Sequence, residues 1–263
     1  EVVARFEEAA SKQWNIVKEA SLSEIRENAD GSVTVVAKRT TENGEGLLEI
    51  PADAVLVATG RRPNTDVLNA KNYFDVQDGG QLSVDKYQRV LYNGAPVPGV
   101  YALGDVSSRY QLKHVANHEA RVVQHNLSHP EDLRASDHRY VPAAVFSNPQ
   151  IAVVGMTEEQ ARQAAEREGF EITVKAQNFG DTAYGWAMED KIGLCKLIAR
   201  KDNGELLGAH LVGEESSVLI QPLLQAMSFG MDARTLARGQ YWIHPALTEI
   251  VENALLGLEF DEP

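Results

Sequence analysis

Apolar and polar positions change their rhythm several times along the chain, and each rhythm predicts an element. Residues 1–13 place Val3, Phe6 and Ala10 at helical spacing, so they predict the end of a helix. Short strand-like runs follow at 14–18, 22–27 and 32–38, with Ala29-Asp30-Gly31 as a turn between the last two. The polar, glycine-containing stretch 40–46 predicts another turn before a run at 47–50. Residues 54–58 (Ala-Val-Leu-Val-Ala) are continuously apolar, the pattern of a strand buried on both faces. That run ends in a Gly/Pro turn, Thr59-Gly60-Arg61-Arg62-Pro63-Asn64. A second buried run, 99–103, ends at Gly104-Asp105. Beyond it, residues 111–127 carry Leu112, Val115, Ala116, Val122, Val123 and Leu127 along one helical side.

From about Tyr140 the texture changes again. Strand-like runs at 141–146, 151–154, 172–176, 192–199 and 206–212 alternate with helical ones at 158–167, 216–228 and 246–258, the signature of a separate α+β unit. The polar stretch 128–139 is the expected boundary. The fold class predicted is therefore mixed, α/β followed by α+β.

Composition narrows the function. Lys+Arg number 25 against 38 Asp+Glu, a net charge of −13, which argues against a nucleic-acid or anionic-membrane surface. No apolar run approaches the length of a membrane span. The acidic opening, residues 1–11, lacks the basic start and apolar stretch of a signal peptide. One cysteine, Cys195, rules out an intrachain disulfide and points to a reducing cytoplasm. It lies within a strand-like run, where a small buried side chain is expected.

Four local patterns carry candidate chemistry. Gly104-Asp105 stands at the end of a buried strand, where ligands gather in open α/β sheets; the aspartate suits ribose- or ribityl-type hydroxyls, or else caps a turn. Gln111-Leu112-Lys113-His114 opens a helix, whose unpaired N–H groups and dipole favour an anionic ring or phosphate. His114 and His118 are four apart, but His118-Glu119-Ala120-Arg121-Val122 fails the zinc-protease pattern, leaving a solvated face as the simpler reading. His244 precedes Pro245, which suits a first helical position, with Glu249 five residues on. Positions five apart do not share a helical face, so pairing these two requires His244 to sit in the turn outside the helix. Taken alone, a surface histidine and a solvated glutamate are the simpler reading.

In order along the chain stand Ala58-Thr59-Gly60-Arg61-Arg62-Pro63-Asn64, Val100-Tyr101-Ala102-Leu103-Gly104-Asp105-Val106, Val145-Phe146 with Pro149 and Val154-Gly155, and His244-Pro245 with Glu249. That order resembles the flavin-dependent pyridine nucleotide–disulfide oxidoreductases, the family of glutathione reductase and dihydrolipoamide dehydrogenase. The resemblance spans essentially the whole chain. It implies remnants of two Rossmann-like nucleotide-binding domains and a C-terminal α+β dimerisation domain. Residues 1–52 would be the later part of the NAD(P)-binding domain, 53–135 the returning part of the FAD-binding domain, and 136–263 the interface domain of a homodimer. Neither a Gly-x-Gly-x-x-Gly fingerprint nor a cysteine pair is present, so the expectation is a C-terminal fragment, inactive on its own.

The same resemblance implies the roles. Asp105 would hydrogen-bond the ribityl chain of FAD. Gln111, Leu112, Lys113 and His114 would bring backbone N–H groups to the pyrimidine edge of the flavin. Gly60 would lie where NAD(P)H passes the junction between domains. His244, oriented by Glu249, would be the acid–base group for a small disulfide substrate and would act in the partner subunit, its His-Pro bond being cis. The rival expectation is a non-catalytic dimerisation module.

Overall fold

The computed structural model describes residues 1–41 and 44–261. It resolves into two compact units, residues 10–62 and residues 1–9 with 63–263. The chain begins with helix α1 (Val2–Ala10), as the spacing of Val3, Phe6 and Ala10 predicts.

The unit of residues 10–62 is an antiparallel meander of β1 (Ala20–Glu27), β2 (Val33–Thr41) and β3 (Gly44–Ala52) in that order. The turn between β1 and β2 is built on Asp30. Its Oδ1 accepts from the Ser32 amide at 3.0 Å and the Ser32 hydroxyl at 2.7 Å, while Gly31 takes the positive φ of 84°. The predicted turn at 40–46 has its tip outside the described residues. β2 runs through Thr41 and β3 starts at Gly44, so the strands extend further into it than the polar composition implied.

Two expected strands do not form. Residues 15–18 are irregular. Residues 54–58 pair with no strand among the described residues, and Leu56 is 90% exposed. A doubly buried strand needs hydrogen-bonding neighbours and covering layers; apolar sequence alone supplies neither.

In the larger unit, residues 63–135 build a small core of Ala70, Leu82, Val90 and Ala102 around the hairpin of β4 (Arg89–Tyr92) and β5 (Ala95–Tyr101). Helix α2 (Lys113–Ser128) follows. It buries Val115, Glu119, Val122, Val123 and Asn126, whereas Leu127, expected on that side, is exposed. Asn126 takes the inward place because its side-chain amide donates to the carbonyls of Tyr87 and Arg134, at 3.0 and 2.9 Å, and its Oδ1 accepts from the Arg134 amide at 2.7 Å.

The remainder is an α+β layer. Five antiparallel strands, β6 (Ala143–Val145), β7 (Gln150–Gly155), β8 (Ile172–Asn178), β9 (Leu194–Arg200) and β10 (Leu206–Gly213), lie in the order β6-β7-β10-β9-β8. Helix α3 (Glu158–Glu168) starts on a capping box, Thr157 with Gln160. It contributes Ala161 to one sheet face with Ile198 and Leu207. On the opposite face lies the main core, formed with α5 (Ser216–Leu219), α6 (Gln221–Phe229), α7 (Ala233–Arg238) and α8 (Glu249–Leu256), where Leu197, Leu211, Leu223, Ile250 and Leu255 are fully buried. The short helix α4 (Ala183–Ala187) was not foreseen; it follows β8.

Strand β9 is covered on both faces, so Cys195, Leu197 and Ala199 belong to one core and Ile198 to the other. Among the described residues no helix is long and apolar enough to cross a membrane. The mixture of helices and sheets agrees with the fold class expected.

Candidate functional site

The C-terminal site is set by where α8 begins. The sequence placed Pro245 at its first position, yet the helix starts at Glu249. Residues 244–248 form turns instead, in which Glu249 and Ile250 bond back three residues, to Ala246 and Leu247. His244 therefore stands outside the helix, as its pairing with Glu249 requires, and the His244–Pro245 bond is cis. The loop before it is anchored by Trp242, whose indole N–H donates to the Ala237 carbonyl at 2.9 Å.

His244 Nδ1 lies 2.7 Å from Glu249 Oε1, and the Ala246 amide donates to the other carboxylate oxygen at 3.2 Å. The Glu249 side chain is 15% exposed and that of His244 68%. The His244 hydrogen bond, reinforced by the Ala246 amide and the histidine's charge, holds the Glu249 carboxyl below its ordinary value of 4.5, against the opposing effect of burial. A carboxylate accepting from Nδ1–H fixes that tautomer and leaves Nε2 to take and return a proton. Beside the imidazole opens a cleft of about 530 Å³, walled by residues 180–183, by Tyr184 and Trp186 of α4, and by Pro245. The two aromatic rings escaped the sequence reading because five residues are too few to show a helical period.

The second site gathers around Gly104. β5 stops at Tyr101, and a 3-10 turn, Gly104–Val106, follows. Gly104 adopts φ +68°, and an added Cβ would press on the Ala116 side chain at 3.1 Å. Its carbonyl accepts from the Ser107 and Ser108 amides at 3.0 and 2.7 Å, closing the turn that carries Asp105. Gln111 also has a positive φ, 48°. Leu112 is the N-cap of α2, and no side chain caps the helix. The first-turn N–H groups of Lys113 and His114 thus retain the donor capacity that a helix start leaves. His114, exposed on its helix, donates through Nε2 to the Pro142 carbonyl at 2.8 Å and so anchors the following segment.

Two further residues, absent from the sequence expectations, complete this region. Glu119 is 1% exposed; its Oε2 accepts from the Gly104 amide at 2.6 Å and its Oε1 from His138 Nε2 at 3.0 Å. A cavity of about 390 Å³ lies alongside, bordered by Gln88, Ser107, Glu119 and His138. Among the described residues, buried Ser107 Oγ and Gln88 Oε1 have no hydrogen-bond partner.

These features fit a flavin: a glycine where a Cβ is crowded, a buried hydroxyl close to Asp105 without a partner, and an uncapped helix start. Gly60, assigned to the nicotinamide cofactor, belongs to the smaller unit, where it has φ +121° and open space around its Cβ position. No Gly-x-Gly-x-x-Gly fingerprint accompanies it in the sequence. Cys195 is buried, and burial pushes its thiol up to about 12, so it is no nucleophile.

Comparison with known proteins extends these observations. Residues 2–120 match the family model described as pyridine nucleotide-disulphide oxidoreductase, and residues 141–255 match that family's dimerisation domain. The chain is 52% identical over 262 residues to mycothione reductase of Mycobacterium tuberculosis, covering 98% of this chain and 53% of that protein. It is 33% identical over 225 residues to dihydrolipoyl dehydrogenase of Synechocystis, covering 85% and 47%. Among solved structures, the Cu(II) complex of the HOCl-induced flavoprotein disulfide reductase RclA from Escherichia coli superimposes with a TM-score of 0.81 at 25% identity, covering 97% of this chain and 54% of that one. The chain spans about half the length of the relatives it matches.

Proposed function

Because this chain belongs to the pyridine nucleotide-disulphide oxidoreductases, we propose that it serves a FAD-dependent NAD(P)H:disulfide reductase as the part that holds the flavin's polar edge and delivers the acid–base group. Residues 1–52 and 53–135 are read as later parts of the NAD(P)- and FAD-binding domains and 136–263 as the dimerisation domain. The disulfide of a low-molecular-weight thiol is the substrate class, mycothione first, on the strength of the 52% identity. A homodimer through 136–263 is supported by the dimerisation-domain match and by the exposed Phe146, Trp186, Phe229 and Ile243 on that segment. The lone cysteine favours a cytoplasmic setting.

FAD, when bound, passes electrons between the nicotinamide cofactor and a disulfide. Asp105 would hold its ribityl hydroxyls, while Gln111, Leu112, Lys113 and His114 would present backbone N–H groups to its pyrimidine edge. His244 handles the proton. An ordinary thiol, with pKa about 8.5, is mostly protonated at neutral pH, so a substrate thiolate leaving its disulfide gains from a proton donor within reach. His244 gives that proton from Nε2 and regains one from the attacking thiol. Glu249 keeps Nδ1 protonated throughout, and Tyr184 and Trp186 wall the cleft in which the substrate lies.

The single observation that carries the reading is the 2.7 Å His244–Glu249 bond beside an open cleft. The test is His244→Gln in a complete reductase carrying this sequence. Disulfide turnover falls by roughly 10²- to 10⁴-fold, the usual worth of positioned acid–base catalysis, while flavin reduction by NAD(P)H keeps its rate. Equal slowing of both would refute the assignment. The rival, a non-catalytic dimerisation module, is favoured by the single, inert thiol. A colourless stable dimer supports that rival, and bound flavin excludes it.

A further inference from the structure

We propose that Glu119, clamped by His138, is a positioning residue that fixes the Gly104 amide at the start of the turn carrying Asp105, and thereby sets how tightly the flavin is held; this rests on the reading that Asp105 contacts FAD. Glu119 lies on α2, fifteen residues after Gly104, and its carboxylate is almost wholly buried. A buried carboxylate is costly unless its oxygens are satisfied. Here one oxygen accepts from the Gly104 amide, in the Leu103–Gly104 peptide, and the other from His138 Nε2. Among the described residues, the backbone group that this carboxylate reaches stands at the entrance to the turn that carries Asp105. Gly104 is in the left-handed region and too crowded for a side chain; its carbonyl is held inside the turn by the Ser107 and Ser108 amides, and its N–H by Glu119.

His138 belongs to the polar stretch 128–139, which is pinned to α2 and to the turn before β4. The Asp137 amide donates to His118 Nε2 at 3.3 Å, and the Ser136 amide to the Lys86 carbonyl at 2.8 Å. The clamp thus ties the entry to the five-stranded layer to the turn that carries Asp105.

The groups facing His138 are Glu119 and His118 from α2, the latter ring at 6.3 Å, and the Tyr110 ring at 5.5 Å from the preceding loop. Arg109, Asp85 and Lys86 border the same cavity, and the Asp137–Arg139 ion pair flanks it in sequence. A carboxylate accepts from His138 Nε2–H in either charge state. A glutamine does not have that tolerance. With its oxygen on the Gly104 amide, its NH₂ must donate to a neutral Nε2, and it meets Nε2–H once the ring is charged.

The test compares FAD release from complete holoenzymes, followed as recovery of flavin fluorescence between pH 8 and pH 5, the interval in which histidines change charge. Glu119→Gln releases FAD at close to the wild-type rate at pH 8. Its release accelerates about tenfold relative to wild type as the pH falls to 5, and adding His138→Ala abolishes that acceleration. Glu119→Ala releases FAD about tenfold faster at every pH. A merely space-filling glutamate would give Glu119→Gln no such pH dependence, and that result overturns the proposal. Should Glu119→Ala fail to fold, the glutamine pair decides alone. Asp105→Ala separates the layers: if it retains FAD as well as wild type, the reading of Asp105 fails, whereas its loss of FAD beside unaltered Glu119 variants sinks only the clamp.

Discussion

Replacing Glu249 by glutamine removes a charge from the proposed acid–base pair while keeping its shape. The carboxylate makes two contacts, His244 Nδ1 at 2.7 Å and the Ala246 amide at 3.2 Å. Glutamine has one acceptor oxygen, so with that oxygen on the Ala246 amide it no longer accepts from Nδ1–H, and neither contact is charge-assisted. Hydrogen bonds to charged groups contribute about 1.5–3 kcal/mol. The His244 side chain is 68% exposed, which screens the charge and favours the lower end. About 1.5 kcal/mol in the proton-transfer step corresponds to roughly a tenfold loss, with 1.36 kcal/mol per decade. Stopped-flow measurement on a complete reductase separates the two half-reactions: flavin reduction by NAD(P)H keeps its wild-type rate, and reoxidation by the disulfide substrate slows at least tenfold. Glu249→Ala, which also leaves the Ala246 amide without its acceptor, slows reoxidation further. If the glutamine variant reoxidises at the wild-type rate, Glu249 does not orient His244, and the pair is a surface contact with no share in the chemistry.

The same pair gives a pH signature in stability. The folded-state pKa of Glu249 is lowered, chiefly by its His244 hydrogen bond, so its contribution is complete above 4.5 and disappears as pH falls through the folded value; the melting-temperature gap between wild type and Glu249→Gln should close below that range and persist at pH 7. The 263-residue chain should show no NAD(P)H-dependent disulfide turnover, and a thiol reagent should modify Cys195 only after denaturation, because burial pushes its thiol up to about 12. Gly155→Ala should destabilise by about 3 kcal/mol in a denaturant titration, since Gly155 has φ +78° and a Cβ would strike the Leu207 carbonyl and the Met227 side chain. Leu223→Ala, at a fully buried position under the sheet, should cost about 2–5 kcal/mol by the same assay.

What was legible in the sequence follows from how local each feature's cause is. The strand through Cys195 could be read because β9 is covered on both faces and its composition reports that directly. Residues 54–58 carry the same composition without forming a strand, since pairing depends on neighbours and not on the run itself. The helical pattern at 216–228 was read as one element; the structure divides it at Ile220, where Pro222 opens a new helix at its first turn. The Glu119–His138 contact spans nineteen residues with no periodic link. In the sequence Glu119 stands out only within His118-Glu119, a pair that fails the zinc-protease pattern. For His244 and Glu249 the sequence supplied the condition, a histidine outside the helix, and the fold meets it by delaying α8 to Glu249.

The proposed proton carrier obtains orientation and environment from different sources. Orientation is local: five residues and one carboxylate fix the tautomer of His244, and the buried Ile250 and Val251 beside Glu249 hold that carboxylate in place. Environment is not. An imidazole 68% exposed, in a cleft whose Trp186 wall is itself exposed, feels nearly bulk dielectric, where a carboxylate's charge counts for little. Covering that cleft would strengthen the His244–Glu249 interaction without moving either residue. The Glu249 dependence of disulfide turnover in an assembled reductase should therefore exceed what the exposed geometry yields, and the tenfold loss worked above is a lower bound there.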